Sequence, residues 1–270
     1  MNLLFTVDRN YLPILGTCIR SILRFPCAEG YHIYLMHSDL TEADAAALRG
    51  LCAGRAELTL VGMDGALVEG FPVTSRYPKQ MYYRILAARF LPRELDRVLY
   101  LDPDIVVIRP LEALYRTDFQ GNLLCACTHV KEFLSRINQL RLGTDERCPY
   151  LNSGVLLMNL QALRREQSVE EITAYVERYG SRLTLPDQDI LSALYGNRTI
   201  LLDTMVYNLS DRVLGLYNMN PRIRQPRDLD WVRANSVIIH YCGRNKPWRE
   251  NYLGILDVFY REVVENDRKT

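Results

Sequence analysis

The amino-acid sequence predicts an α/β protein with a mixed, mostly parallel sheet flanked by helices. Two observations support this fold class. Apolar runs of strand length alternate with segments of helical spacing through the first hundred residues. These runs are apolar on both faces, as expected for strands that helices cover on both sides. The 270 residues, 48% of them hydrophobic, are enough for a large core, and we expect one domain whose first half, to about residue 130, is of the nucleotide-binding type.

The first half contains four strand-like runs and three helical segments. The strands are predicted at 2–7, 31–37, 56–62 and 97–101. The helices are predicted at 11–25, 41–54 and 77–92, the last between two prolines. The segment 41–54 starts with Thr41 and Asp44 in the spacing of a capping box and ends at Gly54, which supports its assignment as a helix.

The second half is less regular. Strands are predicted at 123–129, 150–160 and 236–243, and helices at 168–180, 185–196 and 252–266. Ser168 and Glu171 again have capping-box spacing, and Gly180 is a stop signal for that helix. Between these elements, residues 131–149 carry many charges and no motif, and we expect a loop there.

Composition excludes several classes of protein. A net charge of +1 argues against a nucleic-acid partner bound through phosphate neutralisation. No apolar run reaches the roughly 18 residues of a membrane span, and no export signal is recognised. The seven cysteines include no CxxC pair, which favours buried thiols in a reducing, cytoplasmic setting. The two sequons, at Asn197 and Asn208, are therefore interpreted as chance.

The absence of several known catalytic motifs excludes further classes of enzyme. The sequence contains no GxxxxGK[ST], GxGxxG, HExxH or GxSxG. The patterns typical of P-loop NTPases, dinucleotide oxidoreductases, zincins and α/β-hydrolases are thus missing.

Two acids, Asp102 and Asp104, stand one residue apart between apolar runs. Asp8 follows the first predicted strand as Asp102 follows the fourth, so both acids are expected at the same edge of the sheet, where ligands bind in such folds. Carboxylate oxygens suit hard cations such as Mg²⁺ or Mn²⁺. A solvated Asp-Pro-Asp turn is the alternative.

His240 ends an apolar strand and is followed by Gly243 and Lys246. A histidine in this position is often a hydrogen-bonded core residue. Lys246 near a glycine turn is also a reasonable phosphate contact. An imidazole added to two carboxylates would favour Mn²⁺ over Mg²⁺. The hypothesis is that Asp102, Asp104 and His240 meet around one metal that also holds a diphosphate.

Two further polar groups stand at element ends. Asp187, Gln188 and Asp189 begin a predicted helix, where acids complement the helix dipole, although this leaves Gln188 unexplained. The polar triplet Asn152-Ser153-Gly154 enters a buried strand, where it either forms a plain turn or holds a ligand.

These stretches, in this order, resemble glycosyltransferase family 8, especially its bacterial lipooligosaccharide α-galactosyltransferase group. The similarity covers almost the whole chain and rests on FTVDRNY (5–11), YYRILAARFLP (82–92), RVLYLDPDIVV (97–107), YLNSGVLLMNL (150–160), LPDQDILS (185–192) and HYCGRNKPW (240–248). The resemblance implies the GT-A fold, a Rossmann-like domain for nucleotide-diphosphosugars. It implies a single catalytic domain over 1–270, with a nucleotide-binding half to about residue 130 and an acceptor and donor-sugar half from about 131.

The resemblance also implies a role for each site residue. The uridine pocket is assigned to Thr6, Val7, Asp8 and Tyr11, with Asn10 near the ribose. The metal ligands are Asp102, Asp104 and His240, and the diphosphate contacts are Gly243 and Lys246. The donor-sugar residues are Arg84, Asn152, Asp187 and Gln188, with Gln188 against the reacting carbon. One departure concerns 127–133, where galactosyltransferases carry an acid that helps hold the donor sugar and this sequence offers His129 or Thr128.

The implied function is metal-dependent, retaining transfer of galactose or glucose from a UDP-sugar to a saccharide or glycolipid acceptor. Mn²⁺ is the expected cofactor, with Mg²⁺ as the alternative, and the pathway is cell-surface polysaccharide or lipopolysaccharide synthesis. The expected location is the cytoplasm, or the periphery of the inner membrane. Because an amide such as Gln188 is a poor nucleophile, front-face attack is expected, with a covalent intermediate on Asp189 as the minority hypothesis. Two other classes stay open: a metal-dependent nucleotidyl- or phosphotransferase, and a non-catalytic UDP-sugar-binding module.

Overall fold

The computed structural model describes residues 1–52, 54–74, 78–129 and 132–267. Its strands β1 to β9 are Asn2–Thr6, Tyr31–His37, Ala56–Gly62, Arg97–Leu101, Ile105–Val107, Leu124–Cys127, Asn152–Asn159, Thr199–Leu201 and Ile238–His240. Its helices α1 to α12 are Leu12–Leu23, Glu42–Cys52, Ala87–Phe90, Glu112–Tyr115, Glu132–Leu142, Leu160–Glu166, Val169–Tyr179, Pro186–Tyr195, Thr204–Tyr207, Asp211–Asn218, Leu229–Asn235 and Asp257–Asp267. Within these described ranges, no helix is long and apolar enough to cross a membrane.

The main sheet has seven strands in the order β3-β2-β1-β4-β7-β6-β8. Strands β3, β2, β1 and β4 run parallel to one another, and β6 runs parallel to β8. Strand β7 is antiparallel to both of its neighbours, β4 and β6. The predicted fold class, a mixed and mostly parallel sheet flanked by helices, is confirmed, and the sheet takes strands from both halves of the chain.

The strands of the sheet centre are buried on both faces, as their composition predicts. Along β1, Leu3 and Phe5 pack into one apolar cluster while Leu4 packs into another. Along β4, Leu99 and Leu101 join the first cluster and Tyr100 joins the second. This alternation follows from the period of two in a strand. Asn2, Thr6 and Arg97, which are polar, lie at the strand ends.

A separate pair of strands, β5 and β9, forms a two-stranded antiparallel sheet. In this pair Ile105 lies opposite His240. The pairing brings the segment just after Asp104 against a strand from near the end of the described chain, and a third apolar cluster, which includes Val106 and Ile239, packs behind it.

The predicted capping box at Thr41 forms with both of its bonds, and at the second predicted box the Ser168 side chain caps its helix. The Thr41 Oγ1 accepts from Asp44 N at 3.3 Å, and Thr41 N donates to Asp44 Oδ2 at 2.9 Å. Ser168 Oγ accepts from Glu171 N at 3.1 Å. These side chains satisfy backbone N–H groups that the first turn of a helix leaves without partners.

Three predicted elements differ from the structure. In place of one helix over 77–92, a 3₁₀ helix spans Lys79–Leu86 and α3 follows, and residue 77 lies outside the described residues. Every residue from Met81 to Leu86 is buried, so tertiary packing on all sides overrides the local helical preference. The closing helix begins at Asp257, five residues later than predicted.

The third difference concerns 131–149, where a loop was predicted. Helix α5 (Glu132–Leu142) occupies most of this segment, and residue 131 lies outside the described residues. The Arg141 guanidinium from its last turn forms an ion pair with Asp189 of α8. This long-range contact anchors a helix whose weak apolar pattern gave no local signal.

Candidate active site

The end of β4 and the start of β7 form the floor of the candidate site. Because β1 and β4 are parallel neighbours, Asp8 and Asp102 follow adjacent strand ends, as predicted. Strand β7 runs the other way, so its first residues lie beside the same edge. The Asp102 N–H donates to the Gly154 carbonyl at 2.8 Å, which fixes the acid against β7.

Asp102, Asp104 and His240 come together, as the sequence hypothesis predicts. The His240 Nε2 lies 3.2 Å from Asp104 Oδ1 and 3.5 Å from Asp102 Oδ2. Candidate ligand atoms of the three residues all lie within 4.8 Å of one another. The β5–β9 pairing explains this approach, because it carries His240 to the residue next to Asp104.

The three residues fit a divalent cation. Two carboxylates and one imidazole form a mixed oxygen and nitrogen donor set of the kind that divalent metals accept. The space beside them depends on a glycine. A Cβ at Gly154 would lie 2.2 Å from His240 Cε1 and 2.7 Å from Asp102 Oδ2, so no larger residue fits there without moving a ligand.

The charge of His240 depends on the same neighbours. Burial lowers the pKa of its imidazole, but the adjacent Asp104 and Asp102 carboxylates outweigh burial and raise the pKa to about 10. Without a metal, the imidazolium therefore provides positive charge beside these two half-buried acids. A cation that binds here replaces a proton on His240.

Arg84 connects Asp102 with Asp187. Its Nη1 lies 2.8 Å from Asp102 Oδ1 and 3.5 Å from Asp187 Oδ2, and donates to the Ser153 carbonyl at 3.0 Å. The guanidinium also stacks over the Tyr100 ring, 4.3 Å from its centroid. Only 7% of Arg84 is exposed, so its charge acts in a poorly solvated setting.

The pKa values of the two acids beside Arg84 shift in opposite directions. For Asp102, burial raises the pKa, but Arg84 and His240 outweigh it, and the pKa falls below its usual value. For Asp187, burial is the stronger effect, and the pKa is raised despite Arg84. The Asp187 carboxylate also accepts from Ser153 Oγ at 2.8 Å.

Three side-chain amides extend the site from Gln188 to His240. The Asn152 Nδ2 donates to Gln188 Oε1 at 3.2 Å, and Asn208 Nδ2 donates to Asn152 Oδ1 at 2.9 Å. The Asn208 Oδ1 lies 2.8 Å from His240 Nδ1. Sequence reasoning missed Asn208, although its position in one of the two sequons was noted; it is fully buried and so is not a glycan acceptor in the folded protein.

Lys246 lies directly beside the metal-site acids. Its Nζ donates to Asp104 Oδ2 and, at 2.8 Å, to the Tyr241 carbonyl. Between these residues Gly243 has a φ of +94°, which only glycine adopts readily, so the chain reverses there and returns Lys246 to Asp104. The neighbouring surface cleft is lined by Arg244, Lys246, Arg249 and Trp248 among others.

The residues assigned to the uridine pocket lie at the end of β1. Thr6 Oγ1 lies 3.2 Å from the Tyr100 hydroxyl, which itself donates to Asp102. The Asp8 carboxylate caps the short 3₁₀ helix Arg9–Tyr11 by accepting from Tyr11 N at 3.1 Å. Val7 is buried and Asn10 is exposed.

Asp189 is not part of this cluster. Its carboxylate is fully buried and accepts two bonds from Arg141, both of 2.7 Å, and one of 2.7 Å from the Tyr150 hydroxyl. The backbone N–H groups of Thr184 and Leu185 also donate to it. These donors occupy both oxygens, so the carboxylate joins α5 to α8 and is poorly placed to act as a free nucleophile.

His129, one of two candidates for the missing acid, is held close to His240. Its Nε2 donates to the Asn208 carbonyl at 2.8 Å, and the rings of His129 and His240 are 6.2 Å apart at their centroids. The carbonyl of Thr128, the other candidate, accepts from Thr204 Oγ1 at 2.9 Å.

The chain is similar in sequence to known glycosyltransferases. The sequence model described as glycosyl transferase family 8 matches residues 2–252. The chain is 22% identical to the lipopolysaccharide 1,2-glucosyltransferase of Escherichia coli K12, over 98% of this chain and 78% of that protein. It is 24% identical to the lipopolysaccharide 1,3-galactosyltransferase of Salmonella typhimurium, over 92% of this chain and 72% of that protein.

Among solved structures, the galactosyltransferase LgtC in complex with donor and acceptor sugar analogues superposes with a TM-score of 0.81 at 26% identity, covering 98% of this chain and 96% of that chain. The chain belongs to glycosyltransferase family 8 and has the GT-A fold.

Proposed function

We propose that this protein is a retaining glycosyltransferase that moves galactose or glucose from a UDP-sugar to a saccharide or glycolipid acceptor. The observation that carries the proposal is the convergence of Asp102, Asp104 and His240 beside the buried Arg84, at the strand edge where GT-A enzymes bind their donors. Family membership supports the reaction class, and the names of the relatives support lipopolysaccharide as the product. Since those relatives include a glucosyltransferase and a galactosyltransferase, we propose both UDP-glucose and UDP-galactose as candidate donors.

Asp102, Asp104 and His240 would hold the metal, for which Mn²⁺ suits the mixed oxygen and nitrogen donors better than Mg²⁺. When bound, this cation supplies Lewis-acid neutralisation of the charge that develops on the leaving diphosphate. Gly243 and Lys246 would contact the same diphosphate, and Lys246 adds a second positive charge there. Thr6, Val7, Asp8, Asn10 and Tyr11 would bind the uridine.

The donor sugar would lie among Arg84, Asn152, Asp187 and Gln188. Arg84 forms ion pairs with Asp102 and Asp187, and the Ser153 hydroxyl donates to the Asp187 carboxylate. The Gln188 Oε1 is fixed by Ser153 N at 3.3 Å and by Asn152. A fixed, neutral amide beside the reacting carbon can stabilise developing positive charge on the sugar, but it forms a covalent bond poorly.

Retention of configuration then requires attack from the face that the diphosphate leaves. The acceptor hydroxyl would approach on that face, and a phosphate oxygen of the leaving UDP would take its proton. The alternative, a sugar ester on Asp189, conflicts with the donors that occupy both of its carboxylate oxygens. We place this reaction in the cytoplasm, with contact to the inner membrane where a lipid-linked acceptor would be present.

Calorimetry with UDP in the presence and absence of Mn²⁺, followed by UDP release from UDP-galactose and UDP-glucose, tests the proposal. We expect Mn²⁺-dependent UDP binding, slow donor hydrolysis that yields UDP, and an α-linked product by NMR once an acceptor is supplied. Release of UMP would instead indicate a nucleotidyl- or phosphotransferase. Donor binding without turnover, for any acceptor in a lipopolysaccharide core panel, would indicate a binding module, and a β-linked product would refute retention.

A further inference from the structure

We propose that Asn208 is a positioning residue: its side-chain amide fixes His240 with hydrogen on Nδ1, so that Nε2 faces Asp102 and Asp104, and it joins the metal site to the Asn152–Gln188 pair. The inference rests on the proposed function, because it assumes that Nε2 of His240 is a metal ligand. The β7 backbone donates hydrogen bonds to two of these side chains, and the direction of those bonds is unambiguous.

Two backbone N–H groups fix which end of the Gln188 and Asn152 side-chain amides is the oxygen. Ser153 N donates to Gln188 at 3.3 Å, and Gly154 N donates to Asn152 at 3.1 Å. A backbone N–H only donates, so the side-chain atoms that receive these bonds are the oxygens, Gln188 Oε1 and Asn152 Oδ1. The Nδ2 of Asn152 is therefore the atom directed to Gln188 Oε1, at 3.2 Å.

The orientation of the Asn152 amide determines that of the Asn208 amide, which in turn determines where His240 carries its hydrogen. Because Asn152 presents its oxygen, the atom of Asn208 that lies 2.9 Å away must be the donor Nδ2. The oxygen of Asn208 is then left for His240, 2.8 Å from Nδ1. An amide oxygen only accepts, so Nδ1 carries hydrogen whether the imidazole is charged or neutral. In the neutral ring, Nε2 is the free nitrogen, and it is the one that faces both aspartates.

The position of Asn208 relative to His240 is itself fixed by the backbone. His240 N donates to the Leu209 carbonyl at 2.7 Å, and Leu209 N donates to the Ile238 carbonyl at 3.0 Å, so the residue after Asn208 lies alongside β9. The Asn208 N–H is bonded to Thr204 at 3.1 Å. Asn208 is fully buried and His240 is 2% exposed, so bulk water is excluded from acting as a substitute partner. Rotating the Asn208 amide by half a turn would place its oxygen against the Asn152 oxygen, which already accepts from Gly154 N.

Two substitutions separate the two contacts of this amide. Asn208→Asp keeps an acceptor for His240 Nδ1 but loses the donor to Asn152, whereas Asn208→Leu, of similar size, loses both. Asn218→Leu is the matched control, since within the described part of the chain the Asn218 amide bonds only to the Arg227 backbone, at 2.8 and 2.9 Å. Mn²⁺ affinity is measured from the free-Mn²⁺ electron paramagnetic resonance signal, and circular dichroism checks folding.

We expect Asn208→Leu to bind Mn²⁺ roughly 10- to 100-fold more weakly than the wild type, the range typical for a partner that orients a metal-bound histidine. Asn208→Asp should keep wild-type Mn²⁺ affinity or exceed it, and lose sugar-transfer rate through the freed Asn152. Asn218→Leu should change neither. If Asn208→Leu folds and binds Mn²⁺ as the wild type does, the inference is overturned.

A measurement on the unmodified protein keeps the inference testable even if Asn208→Leu does not fold. In the wild type saturated with Mg²⁺ and UDP, ¹⁵N NMR of the His240 ring should show a protonated Nδ1 and an unprotonated Nε2, the signal being assigned by its loss in His240→Gln. A protonated Nε2 would overturn the inference while leaving the transferase proposal intact. A wild type that binds no divalent cation would refute both.

Discussion

Replacing Gly154 by alanine tests whether the three proposed ligands work as one metal site. Gly154 lies in β7 and does not have a positive φ, so its backbone conformation is open to alanine. The added methyl group, in contrast, would lie 2.2 Å from His240 Cε1 and 2.7 Å from Asp102 Oδ2. The substitution therefore acts through space at two ligands and leaves their chemistry unchanged.

The size of the effect follows from these distances. Carbon atoms in contact prefer a separation of about 3.5 Å, so His240 and β7 must move apart by about 1.3 Å. A metal–ligand distance tolerates only about 0.2 Å. We therefore expect Gly154→Ala to lower Mn²⁺ affinity at least 10-fold and the transfer rate by about 100-fold, the cost of a 1 Å misplacement in an active site. Overpacking should also lower the free energy of unfolding by about 1–3 kcal/mol.

The assay is a Mn²⁺ titration followed by UDP release at saturating Mn²⁺, with urea denaturation to measure stability. Gly215→Ala is the control, because Gly215 lies in α10 with no atom within 4 Å of an added Cβ. That variant should keep Mn²⁺ affinity and gain up to about 1 kcal/mol of stability from helix propensity. Gly154→Ala with unchanged Mn²⁺ affinity would show that His240 and Asp102 do not hold the metal together.

Three further predictions concern the charges of the site. Arg84→Met leaves the buried Asp102 and Asp187 without their shared cation, so the free energy of unfolding should fall by about 3–5 kcal/mol in urea denaturation; a loss below 1 kcal/mol would contradict the role of Arg84 in holding both acids. Asp189→Asn should lower stability by about 1–3 kcal/mol, because a charge-assisted bond to Arg141 is weakened, and mass spectrometry during wild-type turnover should find no sugar ester on Asp189; such an ester would overturn front-face attack. Treatment with EDTA should abolish transfer without changing the circular dichroism spectrum, and Mn²⁺ should restore activity better than Mg²⁺; full activity in EDTA would refute metal dependence.

The sequence predicts the fold well where local and tertiary preferences agree. Strands such as Asn2–Thr6 and Arg97–Leu101 are apolar on both faces, and only the centre of a covered sheet buries both. The segment Lys79–Leu86 has the same helical spacing as an ordinary amphipathic helix. The segment forms a 3₁₀ helix because it is buried on every side, and the spacing of its apolar residues does not reveal that burial.

The candidate site divides in the same way. Asp102, Asp104 and His240 stand at the ends of strong strand signals, so their convergence could be predicted from topology. Asn208 and Gly154 carry no such signal, since one lies in an irregular segment and the other in the interior of a strand pattern. Their roles depend on distances of 2 to 3 Å across the site, and only the folded structure defines these.

Asp104 and Lys246, which are 142 positions apart, make one of the contacts that close the site. Pairing of β5 with β9 likewise spans about half of the 270-residue polypeptide, and closing so long a loop costs entropy before the contact is made. A chain still emerging from the ribosome can build the parallel strands around Asp8 and Asp102 but lacks His240. On the proposed function, it would therefore gain the ability to hold a cation only after His240 has been synthesised and β9 has paired with β5. Bound metal and nucleotide would then stabilise the segment around His240, which completes the site.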